Sequence, residues 1–138
     1  MILFRDAINF SKYFVFLKKK PVIIYRVIRN YILIRFFKLS VPCSAEFAVT
    51  YSCQASCKKC SCSSLVSRER PEVSILQIES IIKKLKRSNV FLLNITGGEP
   101  LLAPELMSII KISSKEGMLT SLSSNGNLVN KTVVAGLK

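Results

Sequence analysis

Past Pro42 the hydrophobic pattern alternates between two periods, and that alternation limits the fold more than any other feature. "AEFAVTY" (45–51) alternates and is rich in strand formers, whereas "SILQIESIIKKLKRS" (74–88) repeats with helical spacing. Ile75, Ile78, Ile81, Ile82 and Leu85 make one apolar face of that helix, and Ser74 with Gln77 predicts a capping box at its start. "VFLLNIT" (90–96) is a short apolar run of the kind expected of a buried parallel strand. A second helix is expected from about Pro104, with proline in its first turn, to Glu116, with Gly117 as its stop. "MLTSLSS" (118–124) predicts a third strand, and a third helix begins near Asn130. The order βαβαβα with such short connections implies parallel strands joined by right-handed crossovers. Three βα units cannot close a barrel and leave an open edge after the third strand. The expectation is an α/β fold that forms the first part of a longer protein, or half of a split one.

The first forty residues differ. They carry nine Lys/Arg and only Asp6, so +8 of the chain's net +13 sits there, and the remaining +5 is spread over residues 41–138. The division expected is a helical, basic and apolar extension over 1–41 and a core domain over 42–138. "KKKP" (18–21) breaks the extension, and Pro21 opens a second helix running to about Lys38. At 100° per residue Arg26 and Arg29 lie near each other, with Arg35 roughly opposite Arg26. Two readings are open: an extension packed on the rest of the protein with solvated Lys/Arg tips, or an element lying on an anionic membrane surface. Nucleic-acid binding is not expected, because no reading motif accompanies the charge. Lys18–Lys20, Arg26, Arg29, Arg35 and Lys38 interrupt every apolar stretch before a membrane span accumulates, and no cleavable secretory signal is evident.

Chemistry concentrates after the first strand. Four of the five cysteines lie in "YSCQASCKKCSC" (51–62), spaced Cys53-x3-Cys57-x2-Cys60 with Cys62 just beyond. An odd count and such tight clustering do not suit a disulfide framework and point to metal ligation in a reducing cytoplasm. The chain has no histidine, which removes Cys/His zinc sites and Ser-His or Cys-His nucleophile pairs. One loop with these spacings can curl around an iron–sulfur cubane, three thiolates meeting three irons and one iron left open. It can equally form a structural zinc loop with Cys62 as fourth ligand. "GGEP" (97–100) ends the second strand. Gly97 and Gly98 would let backbone approach a ligand, Glu99 offers a carboxylate to a cation, and Pro100 stiffens the exit. Alone, such a turn could be mere punctuation; here it shares the carboxyl-end rim of the sheet with the cysteine loop.

Taken together, "TYSCQASCKKC", "ITGGEPLL" and "SLSSNGNLV" resemble the radical S-adenosylmethionine (SAM) superfamily, from about Ala45 to the end, roughly two-thirds of the chain. The resemblance implies the first three βα units of a partial (β/α)6 TIM-like barrel. It implies that Cys53, Cys57 and Cys60 bind a [4Fe–4S] cluster and that SAM chelates the fourth iron. Gly97, Gly98 and Glu99 would engage the SAM amino group through backbone oxygen or carboxylate, and Asn125 would lie on the cofactor rim. The implied activity is reductive cleavage of SAM to a 5′-deoxyadenosyl radical that abstracts hydrogen from a substrate. Peptide, lipid and small-molecule substrates are all compatible, with ferredoxin or flavodoxin as reductant. The implied location is cytoplasmic, peripheral at the inner face of the membrane if the extension binds there. A different class of function stays open: a non-catalytic iron–sulfur or zinc module for electron transfer or structure. The sequence departs from the family by placing Lys59, where an aromatic residue is usual, just before the third cysteine, and by lacking strands four to six. Ser124 reads as structural, Thr50 and Thr96 as strand residues, Cys43 as a small buried apolar residue, and "KKLKR" (83–87) as a solvated helix face.

Overall fold

The structure, a computed structural model, describes residues 21–60, 62 and 73–137. The helix expected before "KKKP" lies outside the described residues. Among the described residues the helices and strands run in the order α1 (Pro21–Arg35), β1 (Ser44–Thr50), α2 (Ile75–Arg87), β2 (Leu92–Gly97), α3 (Leu106–Lys115), β3 (Leu119–Leu122) and α4 (Lys131–Gly136). A 3-10 turn, Pro100–Leu102, joins β2 to α3. Both strand pairs are parallel, in the order β1-β2-β3. The expected parallel βαβαβ topology holds, with Ala45 paired to Leu93 and Leu93 to Thr120.

The core lies between the sheet and α2 with α3. Ile78 and Ile82 of α2, Leu93 and Ile95 of β2, Leu106 and Ile109 of α3, and Met118 form one buried cluster. Alternation explains the β2 contribution, since Leu93 and Ile95 share one face of the strand. The opposite face is polar. Asn94 Nδ2 donates to Glu46 Oε1 at 3.5 Å, and the hydroxyls of Ser121 and Ser123 donate to Asn94 Oδ1 at 2.9 and 3.2 Å. β2 is thus not buried in apolar contacts on both faces as its composition suggested; a polar ladder crosses all three strands on the side without helices.

Helix ends follow their residues. Ser74 and Gln77 form the expected capping box at the start of α2. Asn89 (φ 68°) closes α2, with Val90 N–H donating to Leu85 O and Asn89 N–H to Lys86 O, and Gly117 (φ 73°) closes α3 in the same way. Pro104 does not open α3. It sits in a turn ahead of Glu105, and the proline at a first helical position is Pro100, in the 3-10 turn. α1 stops at Arg35 rather than near Lys38, which itself takes a left-handed conformation (φ 54°).

α1 buries one stripe: Ile23, Arg26 and Asn30. Asn30 Nδ2 donates to Asn89 O (3.2 Å) and to Cys43 Sγ (3.6 Å), and the Cys43 thiol donates to Val41 O at 3.6 Å. Cys43 is therefore only half-buried and tied into polar contacts, not simply a small apolar filler. These contacts fasten α1 at the amino-terminal ends of β1 and β2, away from the cysteine loop. Among the described residues no helix is long and apolar enough to cross a membrane.

Candidate functional site

The site is built where β1 and β2 end. The pairing register slips between Ala48 and Thr50, an irregularity of the kind that bends a strand and redirects the residues beyond it. Thr50 Oγ1 then accepts from Ser52 N–H at 3.1 Å and turns the chain into the cysteine loop. β2 passes beneath that exit: Gly98 N–H donates to Thr50 O (2.8 Å) and Glu99 N–H to Ser52 O (2.9 Å).

This crossing explains the two glycines. A Cβ on Gly97 (φ 145°) would lie 2.2 Å from Thr50 O; one on Gly98 would lie 2.3 Å from Ser52 O and 2.7 Å from Tyr51 O. Their bare sides face the β1 exit, not open space, so the close approach they permit is that of the cysteine loop itself. With the Gly98 and Glu99 amides already donated, the turn can offer a ligand only carbonyl oxygens, the acceptors that an ammonium group needs.

Glu99 is fully buried, at 0% exposure. Its Oε1 accepts from Leu101 N–H (3.0 Å) and the Ser124 hydroxyl (2.9 Å), and its Oε2 from Asn125 N–H (2.8 Å). Its backbone carbonyl accepts from Leu102 N–H. The Glu99 carboxylate latches the β2 and β3 loops together. Burial drives this arrangement, because a carboxylate removed from water must have its lone pairs occupied.

The latch carries Asn125 to the cysteine loop. Asn125 Oδ1 accepts from Asn127 N–H (3.0 Å) and Gln54 Nε2 (3.4 Å), which orients the amide so that Nδ2 faces Cys53 Sγ at 3.9 Å. Ala55 N–H donates to the same sulfur at 3.4 Å. Two N–H donors are thus directed at one sulfur. The structure thus brings together Cys53, Gly97, Gly98, Glu99 and Asn125.

Cys57 is exposed, and Cys60 and Cys62 are half-buried. None of the five cysteines is in a disulfide. Lys58 and Lys59 are exposed beside them. Among the described residues no three Cys, Asp or Glu side chains are placed to ligate one metal ion. A cubane would take each of three thiolates on a different iron. Three reduced thiols on an eight-residue loop, one already receiving N–H bonds, are a donor set suited to such a cluster.

Gln54 and the Ser52 carbonyl were not legible as site parts, because their roles arise from loops crossing rather than from local sequence. Ser124, read as structural, is one anchor of the latch.

Comparison with known proteins agrees with this geometry. The chain is 33% identical over 99 residues to the mycofactocin maturase MftC of Mycobacterium ulcerans, a match covering 72% of this chain and 27% of that protein. It is 24% identical over 97 residues to the PqqA peptide cyclase of Rhodopseudomonas palustris, covering 70% and 26%. The chain thus spans about a quarter of the length of these curated relatives. In fold it resembles Streptococcus suis SuiB bound to S-adenosylmethionine (TM-score 0.57, 21% identity, 72% of this chain and 21% of that one). SuiB bound to its precursor peptide SuiA gives a TM-score of 0.60 at 24% identity, over 72% and 22% of the two chains. The profile of the radical SAM superfamily matches residues 47–138, and the chain belongs to that superfamily.

Proposed function

We propose that residues 42–138 form the N-terminal, cofactor-binding half of the core domain of a radical SAM enzyme acting on a peptide. Cys53, Cys57 and Cys60 hold a [4Fe–4S] cluster, leaving one iron for SAM. The Gly97 and Gly98 carbonyls receive the SAM ammonium group. Glu99 positions these groups and Asn125 rather than touching the cofactor. When bound and reduced, the cluster supplies the electron that cleaves SAM to methionine and a 5′-deoxyadenosyl radical. The chain's own part is placement: the Gly98–Thr50 and Glu99–Ser52 bonds fix where the cysteine loop begins, and the latch holds Asn125 against Cys53.

The observation that carries this reading is that three loops, after β1, β2 and β3, meet at Glu99 and Asn125: the Glu99 carboxylate binds Ser124 and Asn125, its N–H binds Ser52 O, and the Asn125 amide faces Cys53. A peptide substrate is supported by the names of the relatives, a PqqA peptide cyclase among them, and by the solved complex of SuiB with a precursor peptide. The helix-free face of the sheet, with Glu46, Asn94, Ser121 and Ser123, offers the acceptors and hydroxyls that a peptide backbone requires. Residues 1–41 are an extension whose α1 packs against this core through Asn30.

Anaerobic reconstitution of the full-length protein tests the proposal. It should take up about four irons, consistent with one cubane, and its reduced-state electron paramagnetic signal should change on adding SAM. Dithionite should then release 5′-deoxyadenosine. Zinc uptake without iron would overturn the reading and support a structural metal module.

A further inference from the structure

A second polar feature lies at the other end of the sheet. α1 and the carboxyl-terminal ends of α2 and α3 enclose a cleft of about 430 Å³, lined by Arg26, Arg29, Lys83, Lys86, Arg87 and Glu116 together with Asn89. Its charges do not balance. Glu116 Oε2 accepts from Lys86 Nζ at 2.6 Å, and that bond holds the Glu116 carboxyl below its ordinary value. Lys83 pairs with Glu79, also at 2.6 Å. No acidic partner remains among the described residues for Arg26, Arg29 or Arg87.

Basic residues in the last turn of α2 have an ordinary explanation in the helix dipole, which favours cations there. Arg26 does not. It arrives from a different helix, is 9% exposed, and its Nη1 is buried without a hydrogen-bond partner. A buried guanidinium with an unused donor is unfavourable unless something of opposite charge fills the space beside it. Its planar donor fork matches an oxyanion, and two further guanidiniums share the same cleft.

We propose that this cleft binds a phosphate group, with Arg26 as its buried anchor and Arg29 and Arg87 as its outer contacts. The phosphate can belong to a soluble anion or to a lipid headgroup. The exposed face of α1 beside the cleft, including Tyr25, Ile28, Tyr31 and Ile32, is apolar and suited to the second source.

The test uses the full-length chain, with and without its cofactors, so it does not depend on the radical SAM reading. Inorganic phosphate should raise the thermal unfolding midpoint and bind in calorimetry, against chloride at matched ionic strength. Arg26→Met should fold with an unchanged or higher midpoint in the absence of phosphate, because an unpaired buried charge is gone. It should bind phosphate at least tenfold more weakly. Should Arg26→Met fail to fold, the double variant Arg29→Ala/Arg87→Ala, on outer side chains, should show the same weakening. Sedimentation with phosphatidylglycerol vesicles but not phosphatidylcholine vesicles, lost in these variants, identifies the headgroup as the source. Phosphate binding without vesicle binding identifies a soluble anion. Binding of neither probe, or equal binding by wild type and variants, overturns the proposal.

Discussion

The carboxylate of Glu99 offers a clean discrimination between holding the fold of the rim and holding a ligand. It accepts three hydrogen bonds while fully buried. A hydrogen bond to a charged acceptor contributes about 1.5–3 kcal/mol. Glu99→Gln retains an oxygen for Leu101 and Ser124 but turns an NH2 toward Asn125 N–H, setting donor against donor. The expected loss is about 2–3 kcal/mol. Glu99→Ala removes all three bonds and opens a cavity; shared partners keep the sum from being additive, and a loss of about 4 kcal/mol is expected. In urea the Gln variant should shift the unfolding midpoint down by about 1 M. Ser124→Ala should be more destabilising in the wild type than in the Glu99→Ala background, where only the exposed Gly126 N–H bond to Ser124 Oγ is lost, a coupling that a double-mutant cycle measures directly. If Glu99→Gln unfolds like the wild type while SAM affinity falls tenfold or more, the carboxylate meets the SAM ammonium and the latch is wrong.

The other expectations concern the loops that the latch joins. Gly98→Ala would drive a Cβ into the Ser52 and Tyr51 carbonyls, so iron uptake should fall sharply even though the three cysteines remain; full uptake would show that the crossing is not needed. Cys53→Ala, Cys57→Ala and Cys60→Ala should each abolish the cluster absorbance, and Cys62→Ala should not; loss in the last would mean a fourth thiolate and no open iron. Asn125→Leu removes an N–H directed at Cys53 Sγ from 3.9 Å. Taking such a weak bond as about 0.5–1 kcal/mol and 59 mV per tenfold for one electron, the midpoint potential should fall by about 20–40 mV at unchanged iron content. An unchanged potential would show that this amide does not touch the bound cluster.

Much of this architecture is legible in the residues. Period-two and helical patterns locate β1, α2, β2 and β3 to within about two residues, because each buries one face against the same core. Ser74 and Gln77 mark the start of α2, and Gly117 the end of α3, through local backbone requirements alone. The spacing Cys53-x3-Cys57-x2-Cys60 and the Gly97-Gly98-Glu99 turn are likewise readable in sequence. What Glu99 does is not, since its partners Ser124 and Asn125 are about 25 residues away and a carboxylate in a turn reads as exposed. The glycines mislead in the same sense: their need for space is evident, but the neighbouring strand exit is what fills it. Arg26 could have been flagged, because Ile23, Arg26 and Asn30 fall on one stripe of α1, and a polar pair on a buried stripe demands partners.

The start of the cysteine loop is fixed by its neighbours. Gly98 holds Thr50, Thr50 and Glu99 hold Ser52, and Ala55 and Asn125 face Cys53, whereas Cys57 and the two lysines after it stand in solvent. Were a cluster to assemble on this loop, its first iron would meet a sulfur already held in place, and every later bond would form between partners joined by a tether of three or fewer intervening residues. Such tethering would replace encounters in bulk solution by ring closures at high effective concentration. The rim would then act as a seed for assembly.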